Sequence, residues 1–205
     1  LPANERTFQV LRDLAARLDT QYRFREIILV VEDTQRTAFL PMVEEIADLR
    51  LFVVRQGTEY YQRRVIAAEE AIGDLVLIGQ IDEVAAMDVL AFIAKAEGSE
   101  AIALANRFAR RPIKDLIAWP FRALGKLAGF RVDPSDFQTI ALPRTLLNPI
   151  LAHDDPRLAL RYPPRDPRLP VAGFRVEQNV AGRSALRDIP RRALLFRTWL
   201  VYLTP

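Results

Sequence analysis

Cysteine is absent from this chain of 205 residues, and His153 is its only histidine. Without cysteine, neither a disulfide framework nor a thiolate metal site can form. No apolar run approaches the roughly 18 residues of a membrane span, and no secretory signal peptide is visible. The glycine-rich motifs that cradle phosphates in dinucleotide-binding and P-loop proteins are also missing, so a nucleotide site of that kind is not indicated.

The composition is that of an ordinary globular protein. Half of the residues are hydrophobic, 27% are charged, and the formal net charge is +3. Such a chain can bury one sizeable core, and we expect a single domain over residues 1–205. The mild charge does not indicate a nucleic-acid partner, although arginine is concentrated in the last third. We expect a cytoplasmic protein.

Buried strands and amphipathic helices alternate along the first half of the chain. Short apolar runs predict strands at Glu26–Val31, Leu51–Val54, Leu75–Ile78 and Glu100–Arg107. Apolar residues at helical spacing predict helices at Glu5–Asp19, Thr37–Ala47, Glu59–Ile72 and Met87–Ala96. This alternation predicts an α/β fold with a mainly parallel central sheet flanked by helices.

The second half contains fewer repeating signals. It predicts a helix at Lys114–Ala128, a short strand at Thr139–Leu142, a helix at Pro143–Ala152 and a last strand at Val171–Gln178. Clustered prolines predict an extended or loop-rich region over residues 154–170. An arginine-rich amphipathic helix is expected at Ser184–Leu203. That helix either packs on the protein or a dimer partner, or lies on an anionic membrane surface.

The strand Leu75–Ile78 organises the chain. Gly73 and Gly79 bound it, and the acidic residues Asp82 and Glu83 follow it. In open α/β sheets, ligands bind beyond the carboxyl ends of the strands. We therefore expect Asp82 and Glu83 at the mouth of a binding site.

The segment from Gly73 to Glu83 resembles a segment of the family 2 glycosyltransferases. In that family an Asp-x-Asp motif follows the strand and holds a divalent metal and the diphosphate of a nucleotide sugar. Here Gln80 stands at the first Asp position and Asp82 at the second. The resemblance implies a GT-A type fold and makes Asp82 the ligand of Mn²⁺ or Mg²⁺. Because Gln80 offers only a neutral amide, we expect metal binding to be weakened or absent.

Other segments extend the resemblance over most of the chain. The residues that it implies to contact the nucleotide sugar are Pro2, Asn4, Glu5, Glu32, Asp33, Arg63, Arg64, Gln80, Asp82 and Arg183. Local chemistry offers an alternative for several of them. Asn4 and Asp33 are also suited to capping the helices that follow them, Arg63 and Arg64 equally fit a surface basic pair, and residues 1–5 resemble the end of a strand and a turn.

The segment Gly129–Gln138 is similar to one found in the polyprenyl-phosphate sugar transferases of the same family. Asp133, Pro134, Ser135 and Phe137 match that segment, and Asp136 stands where the family has glycine. An inverting transfer needs a catalytic base, and the nearest candidates are Asp136 first and Asp133 second. His153 is interpreted as a loop residue, with a role as a distant metal ligand as the alternative.

Together, these resemblances imply a glycosyltransferase that moves a sugar from a nucleoside-diphosphate sugar to a glycan or polyprenyl-phosphate acceptor of the cell envelope. Residues 1–110 would bind the donor, and residues 111–205 would form the acceptor side. Contact with the inner face of the membrane would come from the C-terminal helix. The alternative is a catalytically inactive relative that binds or assembles with a partner, which the substitution at Gln80 and the loss of glycine after Asp33 both favour.

Overall fold

The computed structural model describes residues 3–106, 112–131 and 138–176 of the chain, in which helices and strands alternate. The helices are α1 (Glu5–Asp19), α2 (Arg36–Glu45), α3 (Tyr60–Glu70), α4 (Ile81–Ala86), α5 (Val89–Glu97), α6 (Pro112–Leu127), α7 (Arg144–Leu151) and α8 (Pro156–Arg161). The strands are β1 (Ile27–Glu32), β2 (Leu49–Val54), β3 (Leu75–Ile78), β4 (Ile102–Asn106), β5 (Ile140–Pro143) and β6 (Val171–Arg175). Within the described ranges, no helix combines the length and the apolar character needed to cross a membrane.

The described strands form two sheets. In the first, β1 and β2 run parallel, with Ile27 opposite Leu49. The second has the order β3-β5-β4-β6. Strand β5 is antiparallel to both β3 and β4, whereas β4 and β6 are parallel. The fold is therefore α/β with one parallel and one mixed sheet.

This arrangement differs from the predicted mainly parallel central sheet. The prediction assumed that each strand lies beside the previous one after a helical crossover. Strand β5 instead inserts between β3 and β4 in the opposite direction. Apolar runs report that a strand is buried, but they carry no information about its direction.

The prediction of an extended or loop-rich region over residues 154–170 is wrong in part, because α8 lies within it. Asp155 caps this helix by accepting the backbone N–H of Leu158 at 3.1 Å, and Pro156 occupies its first turn. Proline is well tolerated there because that amide has no partner within the helix.

Helices α1 and α3 pack across both sheets, on opposite faces. On one face, Leu11 and Ala15 of α1 join a cluster with Leu29 of β1, while Leu14 and Leu18 pack on the cluster beneath the second sheet. On the other face, the α3 residues Tyr61, Val65 and Ala68 share a cluster with Val76 and Ile78 of β3, and Ile28 of β1 packs against it. These two helices join the sheets into one structure.

At the far side of the second sheet, β4 and β6 approach closely around a glycine. The side-chain amide of Asn106 fills the space in which a Cβ atom of residue 173 would lie. A side chain at position 173 would therefore force the Asn106 amide out of this space.

Candidate functional site

The candidate site lies at the carboxyl ends of β1 and β3. Glu32, the last residue of β1, pairs with Arg63 of α3 at 3.1 Å. The side chains of both residues are about one-fifth exposed, at 22% each. Arg63 also donates to the backbone carbonyl of Thr58 at 3.0 Å. The structure thus places these two predicted site residues together, as an ion pair at the carboxyl end of β1.

Asp33 follows Glu32 and is exposed. One of its carboxylate oxygens accepts the backbone N–H of Thr34 at 2.8 Å, within a short 3₁₀ turn over Asp33–Gln35. The N-cap position of α2 is occupied by Gln35, so neither Asp33 nor Thr34 caps that helix. Asp33 therefore presents a carboxylate to solvent beside the Glu32–Arg63 pair.

At the end of β3, the chain turns directly into the short helix α4. Gln80 is its N-cap residue, and its side chain forms no capping hydrogen bond. Asp82 lies in the first turn of α4, and both residues are partly buried. Gln80 and Asp82, the residues that resemble the metal-binding motif, therefore lie at the start of a helix.

Glu83, the next residue of α4, points into the protein. Its carboxylate accepts the N–H of Gln138 at 2.9 Å and the hydroxyl of Thr139 at 2.7 Å. Burial raises the pKa of Glu83, and these two hydrogen bonds act against that rise. The expectation that Glu83 lies at the mouth of the site is wrong, because its carboxylate fastens α4 to the start of β5.

Gly79 permits this close approach. A Cβ atom at position 79 would lie 2.9 Å from Oγ1 of Thr139 and 3.0 Å from Cγ2 of Val84, which is closer than side chains normally pack. Glycine at the carboxyl end of β3 therefore lets the strand, α4 and the start of β5 meet.

Arg64 is also a buried structural residue, at only 5% exposed. Its guanidinium donates to the carbonyl of Gln138 at 2.7 Å and to the hydroxyl of Tyr60 at 3.3 Å. The interpretation of Arg64 as one of a surface basic pair is wrong, because its guanidinium is buried and forms hydrogen bonds inside the protein. The backbone of Gln138 is consequently held from both sides, by Glu83 at its N–H and by Arg64 at its carbonyl.

The cluster formed by Arg64, Glu83, Gln138 and Thr139 was not found by sequence reasoning. The sequence feature that points to this cluster is the polar pair Gln138-Thr139 immediately before the apolar run of β5. Both residues are almost completely buried. Buried polar side chains require partners. The sequence therefore indicates that these residues need partners, but it does not identify Arg64, which lies 74 positions from Gln138.

Two residues at the start of the chain have local roles. Oδ1 of Asn4 accepts the N–H of Thr7 at 2.9 Å, which confirms the alternative of a helix N-cap. Glu5 is exposed and pairs with Arg12 at 3.0 Å. Four further predicted site residues, Pro2, Asp133, Asp136 and Arg183, lie outside the described residues.

His153 takes part in the loop before α8. Its Nδ1 accepts the N–H of Asp155 at 3.1 Å, and its ring lies 5.4 Å from that of Phe130. Residues 3–106, 112–131 and 138–176 contain no group of three His, Asp or Glu side chains arranged to hold a metal ion. The proposed ligand Asp82 supplies one carboxylate, which fits Mg²⁺ only in the type of site where substrate phosphates complete the coordination.

The polar groups at these strand ends have the chemistry to bind a polar ligand. Asp33 and Glu32 offer acceptors for ribose or base hydrogen-bond donors, and Arg63 offers a cation for phosphate oxygens once its pairing with Glu32 is exchanged. Gln80 offers both a donor and an acceptor.

These features define an α/β protein with polar groups at the carboxyl ends of two separated strands. No protein-family model matches the chain, and a search of curated proteins finds no significant match. The proposed function therefore depends on the sequence motifs and on the geometry described above.

Proposed function

We propose that this chain is a glycosyltransferase-like protein with a GT-A type fold, which binds a nucleoside-diphosphate sugar at the carboxyl ends of β1 and β3. The sugar would pass to a glycan or a lipid-phosphate acceptor. One observation carries the proposal. Strands β1 and β3 are each followed by polar residues, Glu32 and Asp33 after the first and Gln80 and Asp82 after the second. Ligands of open α/β sheets bind beyond the carboxyl ends of the strands.

The roles of the described residues follow from their chemistry. Glu32 and Asp33 would accept hydrogen bonds from the nucleoside, and Gln80 from a ribose or sugar hydroxyl. Asp82 would hold Mg²⁺ or Mn²⁺ together with the diphosphate. Such an ion, when bound, neutralises the charge that develops on the leaving diphosphate. The proposed base residues Asp136 and Asp133 and the proposed diphosphate clamp Arg183 lie outside the described residues.

A second candidate function is that of a catalytically inactive relative that binds a ligand or a partner without turnover. The specific observation in its favour is that few charged groups remain free to bind a ligand after β3. Gln80 replaces a carboxylate, and both Arg64 and Glu83 are committed to the backbone of Gln138. In this case a nucleotide would bind without depending on a divalent ion.

Thermal unfolding with a panel of nucleoside diphosphates and their sugars tests both candidates, with and without Mn²⁺ or Mg²⁺. A ligand at one hundred times its dissociation constant adds about 2.7 kcal/mol to the free energy of unfolding. For a chain of this size that addition raises the melting temperature by several degrees, since each kcal/mol shifts it by about 2–4 °C. A metal-dependent shift with one nucleotide supports a transferase, whereas a shift that is the same without metal supports the inactive relative.

A pair of matched variants identifies the site. Asp82→Asn is expected to abolish the metal-dependent part of the shift, because it removes the charged ligand. Asp74→Asn is the control, since Asp74 is an exposed carboxylate at the opposite end of the same strand. Equal loss in both variants, or no response of the unmodified chain to any nucleotide, would contradict the proposed donor site.

Localisation and membrane contact are part of the same proposal. We propose a cytoplasmic protein whose residues 184–203 contact the inner face of the membrane. Co-sedimentation with anionic and with neutral lipid vesicles tests this contact. Binding only to anionic vesicles is expected, because arginine side chains are drawn to the negative surface; equal or absent binding would contradict it.

A further inference from the structure

Three buried side-chain atoms around the start of β5 have no hydrogen-bond partner within residues 3–106, 112–131 and 138–176. They are the hydroxyl oxygen of Tyr61, Nε of Arg64 and Oε1 of Gln138. None of these residues is more than 5% exposed. A buried polar atom without a partner costs free energy, so nearly all such atoms in folded proteins are paired with protein groups or with ordered water.

The three residues belong to one cluster. Nη2 of Arg64 donates to the backbone carbonyl of Gln138 at 2.7 Å. Tyr61 lies three positions before Arg64 in α3, and residues at that spacing are neighbours on one face of a helix. Burial raises the pKa of Tyr61 to about 12, and the nearby guanidiniums of Arg161 and Arg64 act against that rise. The hydroxyl of Tyr61 therefore keeps its proton at neutral pH.

The direction of the Nε–H group of Arg64 is fixed. Besides the bond to Gln138, Nη1 of Arg64 donates to the hydroxyl of Tyr60 at 3.3 Å. A guanidinium is a planar, rigid fork, so these two bonds also set the direction of its third donor. That donor cannot turn towards solvent without breaking both bonds.

The chemistry of the three atoms selects the group that would pair with them. Nε of Arg64 only donates and Oε1 of Gln138 only accepts, whereas the hydroxyl of Tyr61 does either. A single partner must therefore both accept and donate. Water meets this requirement and makes about three hydrogen bonds when it is buried. A chloride ion could accept from Arg64, but it has no proton for Oε1 of Gln138.

We propose that an internal water molecule binds in this cluster, between α3 and the start of β5. The water accepts from Nε of Arg64 and from the hydroxyl of Tyr61, and it donates to Oε1 of Gln138. It thereby joins α3 to Gln138 by a contact additional to the direct bond from Arg64. This water site is independent of the proposed function.

Transfer of magnetisation from water to the Nε–H proton of Arg64, measured by NMR on the ¹⁵N-labelled chain, detects such a water. A bound water gives laboratory-frame and rotating-frame signals of opposite sign, which distinguishes it from proton exchange. We expect this signal at Arg64 and not at Arg63, whose Nε–H donates to the carbonyl of Thr58. The signal should persist in Tyr61→Phe, since that variant has no hydroxyl proton that could relay it.

Urea unfolding of matched variants tests the same contacts. Tyr61→Phe removes only the hydroxyl, and we expect the folding equilibrium constant to fall about fivefold, as for one ordinary buried hydrogen bond. Gln138→Met removes Oε1 and keeps the backbone contacts of residue 138. Because one water joins both groups, the double variant should lose less than the product of the two single losses. Tyr61→Phe combined with Asn4→Ala, on the opposite face, is the control and should give the full product.

Two results would overturn the proposal. One is the absence of a water signal at Nε of Arg64, or its loss in Tyr61→Phe. The other is a Tyr61→Phe variant as stable as the unmodified chain or more stable, because removing an unpaired buried hydroxyl is neutral or favourable. Stability that is higher in sodium chloride than in sodium gluconate of equal ionic strength, and only while Tyr61 is present, would assign the cluster to an anion instead.

Discussion

The buried carboxylate of Glu83 allows a sharp test of the structural cluster beside the candidate site. Replacement by alanine leaves the N–H of Gln138 and the hydroxyl of Thr139 without their acceptor. Each buried polar group left unpaired costs about 1–3 kcal/mol, so we expect the loss of two such pairings in Glu83→Ala to lower the free energy of unfolding by about 2–6 kcal/mol. Urea unfolding measures this change. Glu69→Ala, which removes an exposed carboxylate from α3, is the control and is expected to have little effect.

The variant Glu83→Gln separates hydrogen bonding from charge. Its amide oxygen can accept the N–H of Gln138 while its NH₂ group donates to Thr139, so we expect stability close to that of the unmodified chain at pH 7. A loss as large as that of Glu83→Ala would show that the charge itself is required. A loss below about 0.5 kcal/mol in Glu83→Ala, within the range of ordinary surface changes, would refute the role given to Glu83.

The pH dependence has a defined sign. Burial raises the pKa of Glu83 above its ordinary value of 4.5 in the folded chain. The folded state therefore binds the proton more tightly than the unfolded state, and this difference stabilises the fold. The stabilisation is complete below pH 4.5 and is lost as the pH rises through the folded pKa. Just above pH 4.5, the free energy of unfolding should fall with pH more steeply in the unmodified chain than in Glu83→Gln. Parallel curves would contradict the raised pKa.

Three further substitutions test local features by urea unfolding. Asn4→Ala should cost about 1 kcal/mol through the lost cap of α1, and Asn4→Ser should restore most of it; equal stability of both variants would contradict the cap. Gly79→Ala should cost about 1–3 kcal/mol because the new methyl group crowds Thr139, whereas Gly98→Ala, whose nearest contact would be 3.8 Å away, should have little effect. Leu147→Ala should cost about 2–5 kcal/mol because Leu147 is completely buried, and a smaller loss would indicate a core that collapses around the vacancy.

Helical periodicity and short apolar runs in the sequence predict several elements closely. Helix α1 has the predicted bounds Glu5–Asp19, and β3 has the predicted bounds Leu75–Ile78. These segments succeed because each has one buried face or a short apolar run bounded by glycine. The sequence does not predict α8, since clustered prolines are typical of extended chain, whereas Pro156 stands at a permitted first-turn position.

The candidate site was predictable only at the level of residue position. Glu32 and Gln80 lie at the ends of their strands as expected, because strand ends follow from the apolar pattern. The direction of each side chain does not follow from that pattern. Arg64 and Glu83 turned inward because the backbone of Gln138 needs partners, and this need arises from a tertiary contact between segments more than 50 positions apart.

The close packing of Gly173 against the side chain of Asn106 has a consequence for how this sequence can change over generations. A larger residue at position 173 forces the side chain of Asn106 to move, because its Cβ atom would overlap the Asn106 amide. A smaller residue at position 106 can be accepted first, and it then opens the space for a later change at 173. Substitutions at these two positions are therefore expected to be coupled, which ancestral reconstruction of the lineage would reveal.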